Sequence, residues 1–160
     1  MEETDKACGR LSEQPPVVEL FIQHPNFMQF SEDELKVFAK YCVDKKLGDG
    51  ELLFSEGAAG SAMFIVKKGG VKILKMGFLG ETVIATVNPG EFVGEMAVVD
   101  SSTRSATAKA ATHTELLELS HANFNLLKKE HPVIAIKLMD LLLRLLSLRL
   151  RSTTLKMLKK

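Results

Sequence analysis

Cysteine is scarce in this sequence: its 160 residues include only 2, Cys8 and Cys42. Two cysteines are too few to build a disulfide scaffold. They also lack the spacing of a zinc or iron–sulfur site. We therefore expect a protein of a reducing, cytoplasmic environment, with no metal centre.

Surplus charge of either sign is also missing. Lys and Arg total 21 and Asp and Glu total 20, so the net charge is +1. A domain that grips the nucleic acid backbone usually carries a basic excess to displace counterions from many phosphates. The charge balance argues against that role. The hydrophobic content of 46% excludes a disordered chain, and the length fits a single domain.

An export signal and an uninterrupted apolar span are absent as well. The first ten residues, MEETDKACGR, are polar and acidic, unlike a signal peptide. The most apolar window, from Ile134 to Leu150, contains Lys137, Asp140, Arg144 and Arg149. Each charged side chain costs about 2.5–3.5 kcal/mol near a bilayer centre. This window predicts a packing helix and no membrane contact.

The first part of the chain predicts a tail followed by two helices. We expect residues 1–16 to form a loosely ordered tail and residues 17–160 to form one domain. The first helix is predicted from Val17 to about His24, where Pro25 stops it. Ser31 and Glu34 have the spacing of a capping box, which starts a second helix that ends at Cys42. The helical region therefore covers residues 17–42.

Residues 43–120 have the pattern of a β-domain. Short strand-like runs alternate with glycine-rich or Asn-Pro-Gly breaks, which favours an antiparallel sandwich or barrel over a parallel α/β sheet. The runs are Glu51–Phe54, Ala62–Lys67, Val71–Met76, Glu81–Val87, Ser105–Ala110 and Thr114–Leu119. The residues expected to fill the interior are Phe64, Val66, Val71, Ile73, Val83, Ala85 and Val87.

Two C-terminal helices are predicted over residues 121–158. One covers His121 to Glu130, and the second begins at Pro132. Apolar positions three and four residues apart form a heptad seam on the second helix: Leu138, Leu141, Leu145, Leu148, Ser152 and Leu155. We expect this seam to bind a second copy of the chain or an effector protein.

The segment from Pro89 to Thr107 carries the chemistry. Gly94 allows close backbone approach, and the short helix predicted after it offers unpaired backbone N–H groups from Glu95 through Ala97. Arg104 adds a forked, permanently charged anion partner. Glu95 fits this arrangement if it faces a neutral hydroxyl, and a phosphate beside a hydroxyl describes a ribose phosphate. An ordinary surface ion pair between Glu95 and Arg104 explains these two residues equally well.

The motifs resemble those of one known family. The runs Phe92-Val93-Gly94-Glu95-Met96-Ala97 and Arg104-Ser105-Ala106-Thr107 closely resemble the phosphate-binding cassette of cyclic nucleotide-binding domains. The resemblance extends to Asn88-Pro89-Gly90-Glu91 before the cassette and to Met63-Phe64-Ile65-Val66 in the strand region. It implies a mainly β fold: an antiparallel β-roll, or double-stranded jelly roll, with N-terminal helices, a short cassette helix and two C-terminal helices.

The resemblance also implies a ligand and a role for particular residues. Glu95 would accept a hydrogen bond from the ribose 2′-hydroxyl. Arg104 would bind the cyclic phosphate, helped by the backbone N–H groups of Met96 and Ala97. The implied ligand-binding set is Ile84, Val93, Gly94, Glu95, Met96, Ala97, Arg104, Ser105 and Ala106. The ligand would be cyclic AMP or cyclic GMP, and cyclic AMP is slightly preferred. The choice between the two bases depends mainly on Ser105 and on the residue that closes over the base.

The final helix would close over the base, and the sequence leaves open which residue does so. Arg149 and Arg151 are the candidates for stacking on the purine by a cation–π contact, whereas Arg144 is expected in a polar stripe beside the seam. The function expected is a ligand sensor without catalytic activity. No helix-turn-helix follows the final helix in this sequence, so the chain by itself is not expected to bind nucleic acid.

Two alternatives remain open from the sequence. In the first, the cassette is vestigial and the leucine-rich final helix makes the chain a protein-interaction module. In the second, the β-domain is a metal-dependent enzyme. That second role needs several converging ligands, whereas His24, His113, His121 and His131 fall at predicted element ends.

Overall fold

The computed structural model describes residues 15–159. The helices are α1 (Pro15–Ile22), α2 (Glu32–Ala39), α3 (Met96–Asp100), α4 (His121–Glu130) and α5 (Pro132–Leu158), with a 3₁₀ turn at Pro25–Phe27. The strands are β1 (Val43–Leu47), β2 (Leu52–Phe54), β3 (Ala62–Lys68), β4 (Val71–Gly77), β5 (Gly80–Val87), β6 (Phe92–Val93), β7 (Thr107–Ala110) and β8 (Thr114–Ser120).

The strands form two antiparallel four-stranded sheets, which confirms the predicted β-roll with flanking helices. Their orders are β1-β8-β3-β6 and β2-β7-β4-β5. Strand β3 shows how the layers are built, because its alternate side chains face opposite ways. Phe64 and Val66 lie in the core between the sheets, whereas Met63 and Ile65 lie in the core shared with the helices. The helices therefore cover the outer face of the first sheet.

Two strands are missing from the sequence prediction. The first, β1, contains Asp44, Lys45 and Lys46, and its polar composition hides a strand that pairs along its whole length with β8. The second, β6, has only two residues and pairs with β3. Both depend on long-range pairing that local composition does not report.

The predicted interior positions of β5 need correction. Val87 is buried, but Val83 is 49% exposed and Ala85 is exposed too. The reason is that β5 is an edge strand of its sheet, beyond β4. Ala85 lines a surface cavity, as does its neighbour Ile84.

Proline and a capping box explain where the two N-terminal helices begin. Residues 1–14 of the predicted tail lie outside the described residues, and Pro15 and Pro16 already belong to α1, because proline is tolerated in a first helical turn. The capping box predicted at Ser31 is present: the Ser31 hydroxyl accepts from the Glu34 N–H, and the Glu34 carboxylate accepts from the Ser31 N–H. The helix that follows ends at Ala39, earlier than the predicted Cys42.

Only the first part of the predicted heptad seam of α5 is buried within its own chain. Leu138 and Leu141 lie in the core shared with α1, α2 and α4, whereas Leu145, Leu148 and Ser152 line a cavity. Leu148 and Leu155 are 62% and 60% exposed, and the binding of a second copy or an effector protein by the seam stays a prediction. No helix between residues 15 and 159 is long and apolar enough to cross a membrane.

Glu34 also fixes the first half of α5. Its carboxylate accepts from Lys137 Nζ at 2.7 Å, and Gln29 Nε2 donates to the Lys137 carbonyl at 2.7 Å. The hydrogen bond from Lys137 and that from the Ser31 N–H lower the pKa of Glu34 below its ordinary value of 4.5. The folded state thus binds this proton less tightly than the unfolded state, so the pair stabilises the fold at higher pH.

We expect Glu34→Gln to cost about 0.3–1 kcal/mol of unfolding free energy at neutral pH, as measured by urea denaturation. The neutral amide keeps an oxygen for the Ser31 N–H but loses the ion pair with Lys137. The cost should shrink as the pH falls below about 4.5, the ordinary pKa. Glu32→Gln removes an exposed pair with Lys36 on the same helix and serves as the control, with a smaller effect. Equal costs for the two variants would contradict a specific role for the Glu34–Lys137 pair.

Candidate functional site

A cavity of about 670 Å³ lies beside the β-roll, within the size range of small-molecule sites. One wall comes from β5 and β6, and the cassette residues 94–97 and 102–106 form another. The second half of α5 contributes Leu145, Leu148 and Arg149. The cavity therefore lies between the β-roll and the last helix.

Arg104 is a buried cation in this cavity wall, with only 7% of its surface exposed. Its Nη2 donates to the Ala62 carbonyl at 2.7 Å and its Nη1 to the Gly94 carbonyl at 3.1 Å. The guanidinium carbon lies 4.1 Å from the centre of the Phe54 ring. The buried Nε has no hydrogen-bond partner among residues 15–159. Such a group is one hydrogen bond short of satisfaction.

The charge of Arg104 lacks a paired carboxylate in the described structure. Desolvation lowers the pKa of Arg104, and the nearby Glu118 and Glu95 charges oppose that effect. An arginine nevertheless stays protonated in proteins. A buried cation whose hydrogen bonds go to carbonyl oxygens is well suited to bind an anion.

The backbone of Arg104 is fixed by the loop between β2 and β3. The Arg104 N–H donates to the Ala58 carbonyl, and the Gly57 N–H donates to the Arg104 carbonyl, each at 2.8 Å. A bridge between Ala59 and Thr103 extends this short ladder. The loop thus fixes the point from which the Arg104 side chain enters the cavity wall.

Two glycines permit the close contacts around Arg104. Gly94 has a φ of +71°, and a Cβ at this position would overlap the guanidinium of Arg104. A Cβ on Gly60 would overlap the side chain of Ala97 in α3. Only glycine fits both requirements at Gly94, a left-handed backbone and contact with the arginine.

Glu95 is almost fully buried at 2% exposure and forms an ion pair with Arg149 of α5. Arg149 also donates through Nη2 to the Phe92 carbonyl at 3.0 Å. No ion pair joins Glu95 to Arg104 in the described part of the chain, and both residues are buried. The surface-pair interpretation of Glu95 and Arg104 is therefore wrong.

Helix α3 begins directly after Glu95, whose side chain makes no capping bond. The sequence predicts unpaired N–H groups through Ala97. In the structure the Ala97 N–H donates to the Gly94 carbonyl at 3.3 Å, so this donor is engaged. That correction follows from the turn at Gly94, which brings its carbonyl over the first turn of α3.

All nine residues of the predicted ligand-binding set line this cavity: Ile84, Val93, Gly94, Glu95, Met96, Ala97, Arg104, Ser105 and Ala106. Of the two lid candidates, Arg149 lines it and Arg151 does not. The sequence prediction could not choose between them, because the choice depends on the rotation of α5 about its axis.

Several cavity residues were missed from the sequence. They include His24, Asn26, Phe54, Ser152, Thr153 and Lys156. The helical repeat offered a signal for Ser152, Thr153 and Lys156, which lie three, four and seven residues after Arg149 on the same helix face. His24 and Asn26 carried no such signal, since they arrive from a turn far away in sequence. Within the described range, no group of three or more His, Cys, Asp or Glu side chains could hold a metal ion.

Comparison with known proteins identifies the family. The family model for the cyclic nucleotide-binding domain matches residues 44–131. The cyclic AMP receptor protein of Thermus thermophilus is 32% identical over 121 residues, which cover 75% of this chain and 56% of that protein. The chain thus spans about half the length of this curated relative.

Solved structures give the same result. A cyclic nucleotide-binding domain from Methylobacillus flagellatus aligns with a TM-score of 0.78 and 27% identity, covering 89% of this chain and 81% of that one. The regulatory domain of Toxoplasma gondii PKA, crystallised with cAMP, aligns with a TM-score of 0.60 and 27% identity, covering 69% of this chain and 42% of that one.

The family match covers more than half of this chain, from the start of the β-roll to the end of α4, and includes the whole cassette around Arg104. The chain belongs to the cyclic nucleotide-binding domain family.

Proposed function

We propose that this domain is a sensor that binds a cyclic nucleotide, catalyses no reaction and signals by movement of its C-terminal helices. The observation that carries the proposal is Arg104: a buried guanidinium in a cavity wall that, among residues 15–159, has neither a carboxylate partner nor a hydrogen bond at Nε. A cyclic phosphate would neutralise this charge. We also propose a cytoplasmic location, since Cys42 is a free thiol in the described part of the chain and disulfides form in oxidising compartments.

The polarity of the cavity supports a ribose phosphate in particular. Arg104 and the N–H of Met96 supply donors for the phosphate, while the Glu95 carboxylate can only accept. Glu95 Oε1 pairs with Arg149, and because a carboxylate repels phosphate, the ligand group that its other oxygen would accept from is a neutral donor such as the 2′-hydroxyl. Ile84, Val93 and Ala85 add the apolar surface that a sugar and a purine need.

We propose cyclic AMP in slight preference to cyclic GMP. The Thermus relative is named as a cyclic AMP receptor, and the Toxoplasma domain was crystallised with cAMP. In this chain Ser105, Ser152 and Thr153 line the cavity. The Thr153 hydroxyl donates to the Arg149 carbonyl at 2.9 Å, so the hydroxyls of Ser105 and Ser152 are the ones we propose to meet a purine edge. Competition between unlabelled cyclic AMP and cyclic GMP for a labelled nucleotide measures the preference.

Helix α5 would transmit binding, because it contributes cavity residues and contacts the cassette. Arg149 reaches Glu95, so a ligand that engages Glu95 changes the environment of Arg149 directly. We assign the lid role to Arg149 and not to Arg151. Binding shifts the position of α5 only as far as the ligand prefers one position over the other.

The output surface we propose is the outward face of α5. Apolar residues lie there at alternating spacings of three and four, with Thr153 completing the pattern: Ile136, Met139, Leu143, Leu146, Leu150 and Met157. We call this set the outer stripe. Leu143 and Leu150 are 63% and 69% exposed. Ser147 and Thr154 on one flank of the stripe are uncharged, whereas Arg149 and Lys156 lie on the other flank. In a parallel pair of helices the two flanks face each other, so Arg149 would lie opposite the uncharged Thr154 of the second copy. The proposed partner is a second copy.

Arg104→Ala should weaken cyclic AMP binding by about 2–5 kcal/mol, or roughly thirty-fold to several thousand-fold, because one partner of a buried charge pair is lost. Titration calorimetry measures the effect, and urea denaturation checks that the variant is folded. Arg151→Ala removes the same charge outside the cavity and should bind as the parent does.

Equal affinity of Arg104→Ala and the parent would contradict the assignment of the phosphate to the cassette. Failure of the folded parent to bind either nucleotide would favour the alternative function, an interaction module that uses the outer stripe of α5 without a nucleotide.

Glu95→Ala should abolish discrimination against 2′-deoxy cyclic AMP. The parent should prefer cyclic AMP over this analogue by roughly ten-fold to a hundred-fold, since a hydrogen bond to a charged group contributes about 1.5–3 kcal/mol. The ratio of the two dissociation constants isolates the contact from general damage to the site. Glu91→Ala removes another carboxylate from the cavity lining and should keep the preference. An unchanged preference in Glu95→Ala would show that Glu95 does not face the 2′-hydroxyl.

Leu143→Glu should convert a dimer to a monomer at tens of micromolar, because it places a charge in the middle of the outer stripe. Light scattering with and without cyclic AMP measures the mass. Leu155→Glu is the matched control, since Leu155 is equally exposed at 60% but lies off the stripe. A monomeric parent would contradict self-association, and loss of the dimer in both variants would contradict the assignment to this face.

A further inference from the structure

His121 makes a direct contact with the cassette helix, although it lies outside the cavity. Its ring Nδ1 lies 2.8 Å from the carbonyl oxygen of Val98 in α3. A carbonyl oxygen can only accept, so Nδ1 carries a hydrogen and donates it. His121 is the first residue of α4, and Val98 is the third of the five residues of α3. The bond therefore joins the cassette to the C-terminal helices.

With this contact, α4 and α5 both touch the cassette, and the two helices are joined to each other. Helix α4 leads to α5 with only His131 between them. Helix α5 then returns through Arg149 to Glu95, the residue at the start of α3. The C-terminal helices thus contact the cassette at two points, by Arg149 at Glu95 just before α3 and by His121 at Val98 in the middle of α3.

The start of α4 is itself well fixed, so the ring of His121 is a donor with a defined position. The His121 N–H donates to the Ser61 carbonyl at 2.8 Å. The Ser120 hydroxyl caps the helix by accepting from the Asn123 N–H at 3.1 Å, and Asn123 Nδ2 donates to the Tyr41 carbonyl at 2.9 Å. Removing the imidazole leaves all three of these bonds in place.

We propose that His121 is a positioning residue that couples the cassette helix α3 to α4 and α5 through its Nδ1–H···O bond to Val98. This proposal rests on the proposed nucleotide-sensing function, and it names the route by which a displacement of α3 reaches α4. Because α3 carries the Met96 N–H and follows Glu95, a ligand that engages these groups acts on α3 first. His121 then passes the movement to the helices that carry the output.

Substitutions at His121 separate the proposed bond from other roles of the side chain. The amide nitrogen of asparagine takes the place of Nδ1, so His121→Asn can still donate to Val98. In His121→Gln the amide extends toward the Nε2 position, and in His121→Ala no donor remains. Ser120→Ala weakens the cap of α4 but leaves the ring of His121 in place, which makes it the control for a loosened helix start.

Hydrogen exchange of residues 144–158 in α5, measured with and without saturating cyclic AMP, tests the proposal. In the parent, in His121→Asn and in Ser120→Ala, the ligand should slow exchange of this segment. His121→Ala and His121→Gln should still bind at saturation, with affinity several-fold lower, but the ligand should protect α5 by less than half as much. A merely structural role would change exchange without ligand and leave the ligand effect intact.

Full ligand-induced protection of α5 in His121→Gln, or in a folded His121→Ala, would overturn the proposal. Loss of protection in His121→Asn as well as in His121→Gln would also overturn it, because the position of Nδ1 would then not matter. Absence of cyclic AMP binding by the folded parent is a different result, which contradicts the proposed function itself.

Discussion

The site depends on the burial of one guanidinium. Removing the charge of Arg104 from water is costly, and its two protein hydrogen bonds go to carbonyl oxygens and not to a carboxylate. Neighbouring groups stabilise the buried side chain: the Phe54 ring lies against the guanidinium, and the β2–β3 loop fixes the backbone of Arg104. Gly94 gives the side chain room. These contacts leave the positive charge of Arg104 without a counter-charge, which an anion in the cavity would provide.

Glu95 places a negative group in the same cavity wall as the positive group of Arg104. A carboxylate and a guanidinium buried in one wall would be expected to pair, yet Glu95 pairs with Arg149 from another element. The charge of Arg104 is thereby kept separate from the Glu95 carboxylate, as the proposed binding of a ribose phosphate between them requires. The same pairing makes α5 part of the cavity wall, so under the proposed function binding would depend on the position of the helix.

Local signals in the sequence predicted much of the fold, and pairings between distant residues account for what was missed. The capping box at Ser31 depends on residues three apart and was predicted correctly. Strand β1 pairs with β8 from about 70 residues away, and its lysines carry no local sign of it. For the site, all nine residues that the family resemblance implies line the cavity, although other lining residues were missed. The partner of Glu95 could not be predicted, because Arg149 is 54 residues away.

The two halves of α5 differ in how firmly they are held, and this difference determines where a signal can appear. The first half is fixed by buried Leu138 and Leu142 and by the ion pair of Lys137 with Glu34. Beyond Leu142 no residue of the helix is buried, and Arg149 supplies its polar contacts with the cassette. A ligand that changes those contacts acts on the weakly held half, since local opening is easiest where few apolar contacts oppose it. Leu150 and Met157 of the outer stripe lie in that half. Under the proposed function, the C-terminal part of the outer stripe is therefore where a ligand would change the surface offered to a partner.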